Sequence, residues 1–379
     1  MSLNVKETLV LSKIRENPYI SQKDLAEEVD LSRSSVANII SGLVQKGFLA
    51  GRAYVINDSK PIICIGSFNV DRFFRLQTEI NPHLINEVKT KAGAGGVARN
   101  VAENLGKLNV PTSILSMVGH DSSWEAIRAE SQPYMNLKRV EVLETASTSN
   151  FTEIRDKDDE IVFSMADRNI YERMTPAWLS GNQAYLEKAE MIVVDTNVPK
   201  DTINQLISFC ERKHIPLILM VVSLATLKNI PTSLDSVNLV IASHQETSKH
   251  FGLSEELSNQ TLLDGLRSWR ELGAQTVFVS TKHGLVAYAD DQNKKEMMFK
   301  HKNQHAGVNH WGLNEALCGG WLYAKHKGHT SEESRWYALA NAEATGMKSY
   351  TVRPDLSERL LIQEVATYKE HYKNNQSQL

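Results

Sequence analysis

Apolar residues recur at helical spacing in three short runs within the first fifty positions. A first helix is predicted from about Val5 to Glu16, and it ends before Pro18 because the residue preceding a proline avoids the α region. Ser21 and Ser32 each stand where a helix N-cap is expected, so two further helices follow, the last of them ending at Gly47. The apolar positions predicted for the buried faces of the first and third helices are Leu9, Leu11 and Ile14, and then Val36, Ile39, Ile40, Leu43 and Val44.

Polar side chains occupy the opposite face of the third helix, and a short hairpin around Arg52 follows it. Helix, turn, helix and hairpin form the winged helix-turn-helix arrangement, whose recognition helix enters the major groove of double-stranded DNA. The string ISQKDLAEEVDLSRSSVANIISGLVQKGFL resembles MarR- and Lrp-type modules. A three-helix protein-interaction module is the alternative, and one DNA-binding module per chain predicts a homodimer. The residues expected to contact DNA are Arg33, Ser34, Ser35, Asn38 and Arg52.

From Pro61 onward, apolar strand-like runs alternate with amphipathic helical stretches. This rhythm predicts an α/β fold with a doubly wound, mostly parallel sheet, and hence two domains at residues 1–59 and 60–379. Residues 150–155 and 160–165 flank a polar turn and predict a hairpin. We interpret it as a small β lid or a dimer clasp, although a plain surface hairpin fits the pattern equally. The strands predicted for the main sheet are 62–65, 113–117, 191–194, 217–222, 239–241 and 276–280.

Small and polar residues concentrate in two strings after the first of these strands. IGSFNVD contains Asn69 and Asp71 at what we take to be the strand's end, and AGAGGVARN places Gly95 and Gly96 before a helix that carries Asn100. Glycines at a helix start let a ligand approach the backbone, where free N–H groups point outward. Amide and carboxyl side chains can donate to and accept from hydroxyl groups, so we expect a polyol-binding site here. Each polar residue taken alone is equally compatible with a capping or turn role.

Composition and charge narrow the range of partners. A formal net charge of −3 excludes a generally basic nucleic-acid-binding protein, so DNA contacts must come from a local patch. Cys64, Cys210 and Cys318 form no CxxC motif and indicate neither a disulfide framework nor a metal site. The sequence shows no signal-peptide core and no run of about 20 apolar residues, so we expect a soluble, cytoplasmic protein without a membrane partner.

The strings GSFNVD and GGVARNVAENL resemble the substrate half of the ribokinase-like PfkB kinases, and the second string is similar to the pseudouridine kinase branch. The likeness spans about residues 61–352. It implies a ribokinase-like fold, a sugar or nucleoside as the small-molecule partner, and ATP with Mg²⁺ as cofactors of an active enzyme. The residues that it implies for substrate binding are Asn69, Asp71, Gly95, Gly96, Asn100 and Asp195.

The nucleotide-side motifs of that family are altered in this chain. Phosphoryl transfer needs a base and a helix N-terminus that holds negative charge, which the family supplies with the string TGAGD. Here the string reads WGLNE, so Gly312 and Asn314 stand at the anion hole and Glu315 at the catalytic base. The resemblance places further residues on the nucleotide side, with Mg²⁺ near Glu246 as the only implied metal: Ser243, Glu246, Ser280 and Asn341.

The substitutions are one-sided, since the substrate half of the pattern is nearly complete and the nucleotide half is altered at each motif. Random drift after loss of all function would scatter changes evenly. Joined to a DNA-binding module, this pattern indicates a transcriptional regulator that senses a nucleoside or sugar and needs neither ATP nor Mg²⁺. The alternative is an active carbohydrate or pseudouridine kinase that uses Glu315 as its base and phosphorylates a primary hydroxyl.

Overall fold

The computed structural model describes residues 3–18, 20–50, 60–290, 296–301 and 311–375. The chain divides into two compact units, Met1–Lys60 and Pro61–Leu379, which we call the N-terminal and C-terminal units. No helix within the described ranges is long and apolar enough to cross a membrane.

The described part of the N-terminal unit contains three helices: α1 (Val5–Glu16), α2 (Gln22–Glu28) and α3 (Arg33–Gln45). Ser21 and Ser32 cap α2 and α3 as predicted, because each side-chain oxygen accepts a backbone N–H of the first turn. The strand predicted to complete the wing, together with Arg52, lies outside the described residues.

Apolar side chains of all three helices form one small core. Those at its centre include Val10, Leu11, Ile14, Leu25, Val36, Ile40 and Leu43. Leu9 and Val44 were expected on the buried faces but are 43% and 42% exposed. With 3.6 residues per turn, Leu9 faces away from the stripe formed by Val10 and Ile14, and Val44 lies at the edge of the stripe on α3.

The strands of the C-terminal unit fall into two sheets. In chain order they are β1 (Ile62–Ile65), β2 (Asn69–Leu76), β3 (Val88–Gly95), β4 (Thr112–Gly119), β5 (Asn136–Leu143), β6 (Asn150–Arg155), β7 (Ile161–Asp167), β8 (Met191–Asp195), β9 (Leu217–Met220), β10 (Val237–Ser243), β11 (Thr276–Ser280), β12 (Leu285–Asp290) and β13 (Met297–Lys300). The helices are α4 (Val97–Lys107), α5 (Ser122–Ser131), α6 (Pro176–Leu186), α7 (Lys200–Lys213), α8 (His244–Phe251), α9 (Asn259–Glu271), α10 (Leu313–His326), α11 (Ser331–Gly346) and α12 (Glu358–Asn375), with 3₁₀ helices at Asn169–Arg173 and Leu224–Asn229.

The main sheet has the order β13-β12-β11-β10-β9-β8-β1-β4-β5. Strands from β5 across to β11 pair in parallel, and β12 and β13 add an antiparallel edge. Ile62 and Cys64 of β1 enter a core with α4, α10 and α11, whereas Ile63 and Ile65 enter a second core on the opposite face with α6, α7 and α9. The predicted doubly wound sheet is confirmed. Its predicted strands are present, and β5, β12 and β13 are strands that the pattern did not predict.

The small sheet, which we call the lid sheet, has the order β3-β2-β6-β7. Its β6 and β7 form the predicted hairpin, and β2 and β3 form a second hairpin that was not predicted. The expectation that Asp71 ends the first strand is wrong, because β1 stops at Ile65 and β2 begins at Asn69. Gly66, at φ +143°, takes the chain out of the main sheet between them.

Candidate functional site

Asp195, the last residue of β8, joins the elements around the site. One oxygen of its fully buried carboxyl group accepts hydrogen bonds from the Ser67 N–H at 2.8 Å, the Ser67 hydroxyl at 2.6 Å and the Ala98 N–H at 3.1 Å. The other oxygen accepts from the Asn197 N–H at 2.9 Å. Burial raises the pKa of Asp195, although these hydrogen bonds favour its charged form. Asp195 thus holds the turn after β1 against the start of α4, and the sugar contact that the resemblance implies stays a prediction.

The double glycine brings backbone close to the side chains of the site. A Cβ at Gly95 would lie 2.2 Å from the carboxyl carbon of Asp71. One at Gly96 would lie 2.4 Å from the carbonyl oxygen of Ser67, and Gly96 also adopts φ +102° as the N-cap of α4. No side chain fits at either position, so the backbone itself lines this part of the site.

Asn69, Asp71 and Asn100, which we call the hydroxyl-binding cluster after the role predicted for them, lie close to Glu315. The Asn69 amide donates to Oδ1 of Asp71 at 2.5 Å, and the Asn100 amide donates to Oε1 of Glu315 at 3.4 Å. Burial raises the pKa of Asp71 to about 7, and the negative charges of Glu315 and Glu153 add to this effect. Burial also raises the pKa of Glu315. Two carboxyl groups and two amides therefore converge from β2, α4 and α10.

The raised pKa of Asp71 predicts a pH-dependent stability. A carboxyl group whose pKa rises from 3.8 to about 7 on folding binds more protons in the folded chain, so its contribution to stability declines as pH rises through this window. Because Asp71→Asn removes the titration, the unfolding free energy of wild type relative to this variant should fall from about pH 4 to about pH 7 and then level off. Urea denaturation at each pH measures the difference, and a difference that does not change with pH contradicts a buried, protonated Asp71.

Gly312 is the N-cap of α10 and adopts φ +84°, and a Cβ there would lie 1.9 Å from the carbonyl oxygen of Thr351. The N–H groups of a first helical turn can hold an anion. In this turn Asn314 accepts a hydrogen bond from the Ser280 hydroxyl at 2.6 Å, so two expected nucleotide-side residues are bonded to each other. Leu313 is buried in the apolar core. The start of α10 thus carries larger side chains than the alanine and glycine of TGAGD.

A narrow cavity lies beside the start of α10. It is lined by Gly284, His301, Leu313, Ala342, Glu343, Gly346 and Met347. Its volume for the centres of water-sized spheres is about 10 Å³, which is room for about one water molecule. Two of its lining residues are in contact, with 3.5 Å between Nδ1 of His301 and Oε2 of Glu343. This cavity is therefore too small for a nucleotide phosphate.

Ser243 and Glu246 form a capping box at the N-terminus of α8. The Glu246 carboxylate accepts hydrogen bonds from the Ser243 N–H at 3.0 Å and from the Ser243 hydroxyl, and the Glu246 N–H donates to that hydroxyl at 3.3 Å. Burial raises the pKa of Glu246. Within the described part of the chain, no three His, Cys, Asp or Glu side chains are grouped to hold a metal ion. Glu246 thus caps its own helix, and a role beside Mg²⁺ stays a prediction.

Asn341 is fully buried, and its expected place on the nucleotide side stays a prediction. Its amide nitrogen donates to Oδ1 of Asn104 at 3.0 Å and to the carbonyl oxygen of Ala316 at 2.9 Å. Its amide oxygen accepts from Nε of Arg353 at 3.3 Å. Both N–H donors and the carbonyl oxygen are therefore engaged inside the protein, where Asn341 connects α4, α10 and α11.

In the N-terminal unit, the polar face of α3 is accessible. Arg33, Ser34 and Asn38 are exposed, and Ser35 is half-buried. The Ser32 hydroxyl that caps the helix lies 3.0 Å from the hydroxyl of Ser34 and 2.8 Å from that of Ser35. The predicted DNA contacts within the described residues thus share the N-terminal half of α3, where Arg33 contributes a positive charge.

The sequence analysis did not identify three residues that lie at the site: Ser67, Phe151 and Glu153. Ser67 donates to Asp195 twice, and its place within GSFNVD was the available signal. Phe151 and Glu153 are two residues apart on β6, so they share one face of the strand. The sequence predicted the hairpin, but its pattern did not indicate which face turns toward Asp71.

Comparisons with known proteins agree with this architecture. Residues 59–349 match the pfkB family carbohydrate kinase model, and residues 3–52 match the MarR family model. The chain is 25% identical over 360 residues to the uncharacterized sugar kinase YeiI of Escherichia coli (strain K12), which covers 94% of this chain and 97% of that protein. It is 22% identical over 298 residues to the pseudouridine kinase of Escherichia coli (strain K12), covering 78% and 93% of the two chains.

Solved structures share the fold of the C-terminal unit. The ribokinase of Arabidopsis thaliana, complexed with ribose and ATP, gives a TM-score of 0.70 at 17% identity and covers 81% of this chain and 99% of its own. A carbohydrate kinase from Agrobacterium tumefaciens gives a TM-score of 0.66 at 21% identity, covering 81% and 97%. Because the family match at residues 59–349 spans more than half of the sequence, the chain belongs to the PfkB family of carbohydrate kinases.

Proposed function

We propose that this protein is a ligand-responsive transcriptional regulator. Its C-terminal unit binds a nucleoside or sugar, and its N-terminal unit binds double-stranded DNA as part of a homodimer, with two half-sites about one DNA turn apart. The observation that carries the proposal is the contrast between the assembled hydroxyl-binding cluster and the obstructed start of α10.

The hydroxyl-binding cluster supports ligand binding because its groups complement those of a sugar. A hydroxyl both donates and accepts, and the amides of Asn69 and Asn100 supply donors beside the carboxyl oxygens of Asp71. The cluster lies next to the N-terminus of α4, where the N–H groups of Val97 and Ala98 donate to Ser67 and Asp195 and so fix the backbone beside it. A ligand held in this way loses about 1–3 kcal/mol of binding free energy when one partner is removed, as in Asp71→Ala.

Three features of the described residues oppose efficient phosphoryl transfer. An anion hole requires N–H donors aimed at the developing charge. In the first turn of α10, Asn314 replaces the glycine of TGAGD, and its side chain is hydrogen-bonded to Ser280. Leu313 borders a cavity with room for about one water molecule. Glu315 has one more methylene than the aspartate of TGAGD, and a misplacement of about 1 Å can cost about 100-fold in rate.

An active kinase is the second candidate function, and the position of Glu315 favours it. Its carboxyl group accepts a hydrogen bond from Asn100 and is close enough to Asp71 to raise the pKa of that residue. A buried carboxyl group with a raised pKa beside bound hydroxyls is a reasonable general base. The two candidates differ in whether ATP is consumed and in whether the ligand alone changes DNA affinity.

The regulator proposal predicts that ligand and DNA binding are coupled without ATP. A thermal-shift screen of nucleosides and sugars identifies a ligand, because a compound that binds only the folded chain raises its melting temperature. Fluorescence anisotropy with DNA selected from a random pool then measures DNA affinity, which should change by about 5-fold or more when the ligand is added. Asp71→Ala should bind the same DNA but lose the response. An unchanged DNA affinity at saturating ligand contradicts the proposal.

Arg33→Ala and Lys6→Ala form a matched pair for the DNA arm of this experiment. Arg33 is exposed on α3, and its loss should weaken DNA binding, by about 1–3 kcal/mol if it reads a base. Lys6 is exposed on α1, away from the predicted recognition helix, so its loss should have a small effect. Neither variant should change ligand affinity. A chain that binds no DNA even at low salt would indicate the protein-interaction module instead.

A further inference from the structure

One face of the lid sheet carries aromatic side chains beside the hydroxyl-binding cluster. The backbone register pairs Asp71 with Phe151 and Phe73 with Glu153, so these four side chains project from the same face. The ring centroids of Phe73 and Phe151 are 6.3 Å apart, and those of Phe151 and Trp311 are 5.4 Å apart. We call Phe73, Phe151 and Trp311 the aromatic wall. It extends from the lid to the residue before the N-cap of α10.

Glu153 is a buried carboxylate on the same face with one oxygen uncommitted. The residue has no exposed surface, and its Oε1 accepts a hydrogen bond from Nε of Arg155 at 2.6 Å. Oε2 is buried and has no hydrogen-bond partner among the described residues. Glu153 is also close enough to Asp71 for its charge to raise the pKa of that residue. A buried carboxylate oxygen without a donor is costly, and it commonly marks the place of a water molecule or a ligand.

We propose that this face recognises the heterocycle of a ribonucleoside. The base packs against the aromatic wall and donates an N–H to Oε2 of Glu153, while the ribose hydroxyls bind Asn69 and Asp71. The inference rests on the proposed ligand site and narrows its ligand from a nucleoside or sugar to a nucleoside. A free sugar offers neither a planar ring for Phe151 nor an N–H for Glu153.

The Glu153–Arg155 pair further indicates which bases fit. The carboxylate accepts an N–H. The guanidinium of Arg155, whose Nη1 donates to the carbonyl oxygen of Asp159 at 3.1 Å, carries a further N–H₂ group that can donate to an acceptor atom of the base. An N–H next to a carbonyl occurs in imide and lactam rings, such as those of uridine, pseudouridine and inosine. Adenosine and cytidine place an exocyclic N–H next to a ring-nitrogen acceptor, so they too offer the pair a donor beside an acceptor.

Calorimetry on the full-length chain tests the inference, with uridine, pseudouridine, inosine, adenosine, cytidine and D-ribose as probes. At least one of the five nucleosides should bind about 10-fold or more tightly than D-ribose. Glu153→Gln keeps the size of the side chain but can turn an amide N–H₂ toward the base. It should therefore lower the affinity for the tightest-binding nucleoside about 10-fold or more. The N-methylated probes 3-methyluridine and 1-methylinosine lack the donor and should bind wild type correspondingly weakly.

Two matched controls accompany these variants. Glu160→Gln makes the same change at an exposed position of the lid turn, and Phe163→Leu, on the exposed β7, is the control for Phe151→Leu. Only Glu153→Gln and Phe151→Leu should weaken nucleoside binding. If Glu153→Gln does not fold, Phe151→Leu and the methylated probes still decide the question. Equal affinity for D-ribose and every nucleoside overturns base recognition but leaves the proposed function standing, whereas failure of all nucleosides and sugars to bind wild type overturns both.

Discussion

Asp195→Ala should lower the free energy of unfolding of the C-terminal unit by about 3–5 kcal/mol and abolish binding of nucleosides and sugars. The variant leaves the N–H groups of Ser67, Ala98 and Asn197, and the Ser67 hydroxyl, buried without their acceptor. Each orphaned donor costs about 1–3 kcal/mol, and part of this sum is offset because the carboxylate no longer has to be buried. Urea denaturation measures the stability, and calorimetry measures the binding.

A graded series separates the role of Asp195 from a general loss of packing. Asp195→Asn can keep a carbonyl oxygen that accepts from Ser67 and Ala98, but its amide N–H₂ then faces the N–H donor of Asn197. The stability of this variant should therefore lie between those of wild type and Asp195→Ala. Asp201→Ala, at an exposed position in the first turn of α7, should change stability by less than about 1 kcal/mol. If Asp195→Ala is folded and binds ligand as wild type does, Asp195 does not position the site.

The sequence predicted the elements whose signals are local. Ser21 and Ser32 gave the starts of α2 and α3 because a cap depends on a residue and the three positions after it. Continuous apolar runs gave the central strands, which are buried on both faces. β2, β3 and β5 were not predicted because their side chains are largely polar or partly exposed, so neither an apolar run nor a clean alternation marks them.

The candidate site was predictable as a set of residues but not as a set of contacts. Asn69 and Asp71 share one strand but are far from Asn100 and Glu315 in the sequence. The structure brings them together because β2, α4 and α10 meet at the lid side of the main sheet. For Asn341, the position in a motif did not predict that its amide group forms hydrogen bonds with Asn104, Ala316 and Arg353. Glu153 shows the converse, because an unpaired buried oxygen is visible only after folding.

Wild type should not phosphorylate uridine, pseudouridine or D-ribose with ATP, and the variant L313A/N314G/E315D should gain this activity. Asn314→Gly frees Ser280 and exposes the first-turn N–H groups of α10, and Leu313→Ala enlarges the narrow cavity at a cost of about 2–5 kcal/mol in stability. Glu315→Asp shortens the candidate base and can recover about 100-fold in rate. A coupled assay for ADP measures turnover, and the melting temperature with a non-hydrolysable ATP analogue measures nucleotide binding separately.

The single variant Glu315→Asp is the matched control for this restoration. It corrects the base but leaves Leu313 and Asn314 in place, so it should neither bind the ATP analogue nor turn over. If Glu315→Asp alone is as active as the triple variant, the start of α10 is not what blocks the nucleotide. If the triple variant is folded and still binds no ATP analogue, the obstruction extends beyond α10, for which the Ser243–Glu246 capping box is the next position to change. Robust phosphorylation by wild type would show that Glu315 serves as a base in an altered site, and the regulator proposal would have to be abandoned for the kinase.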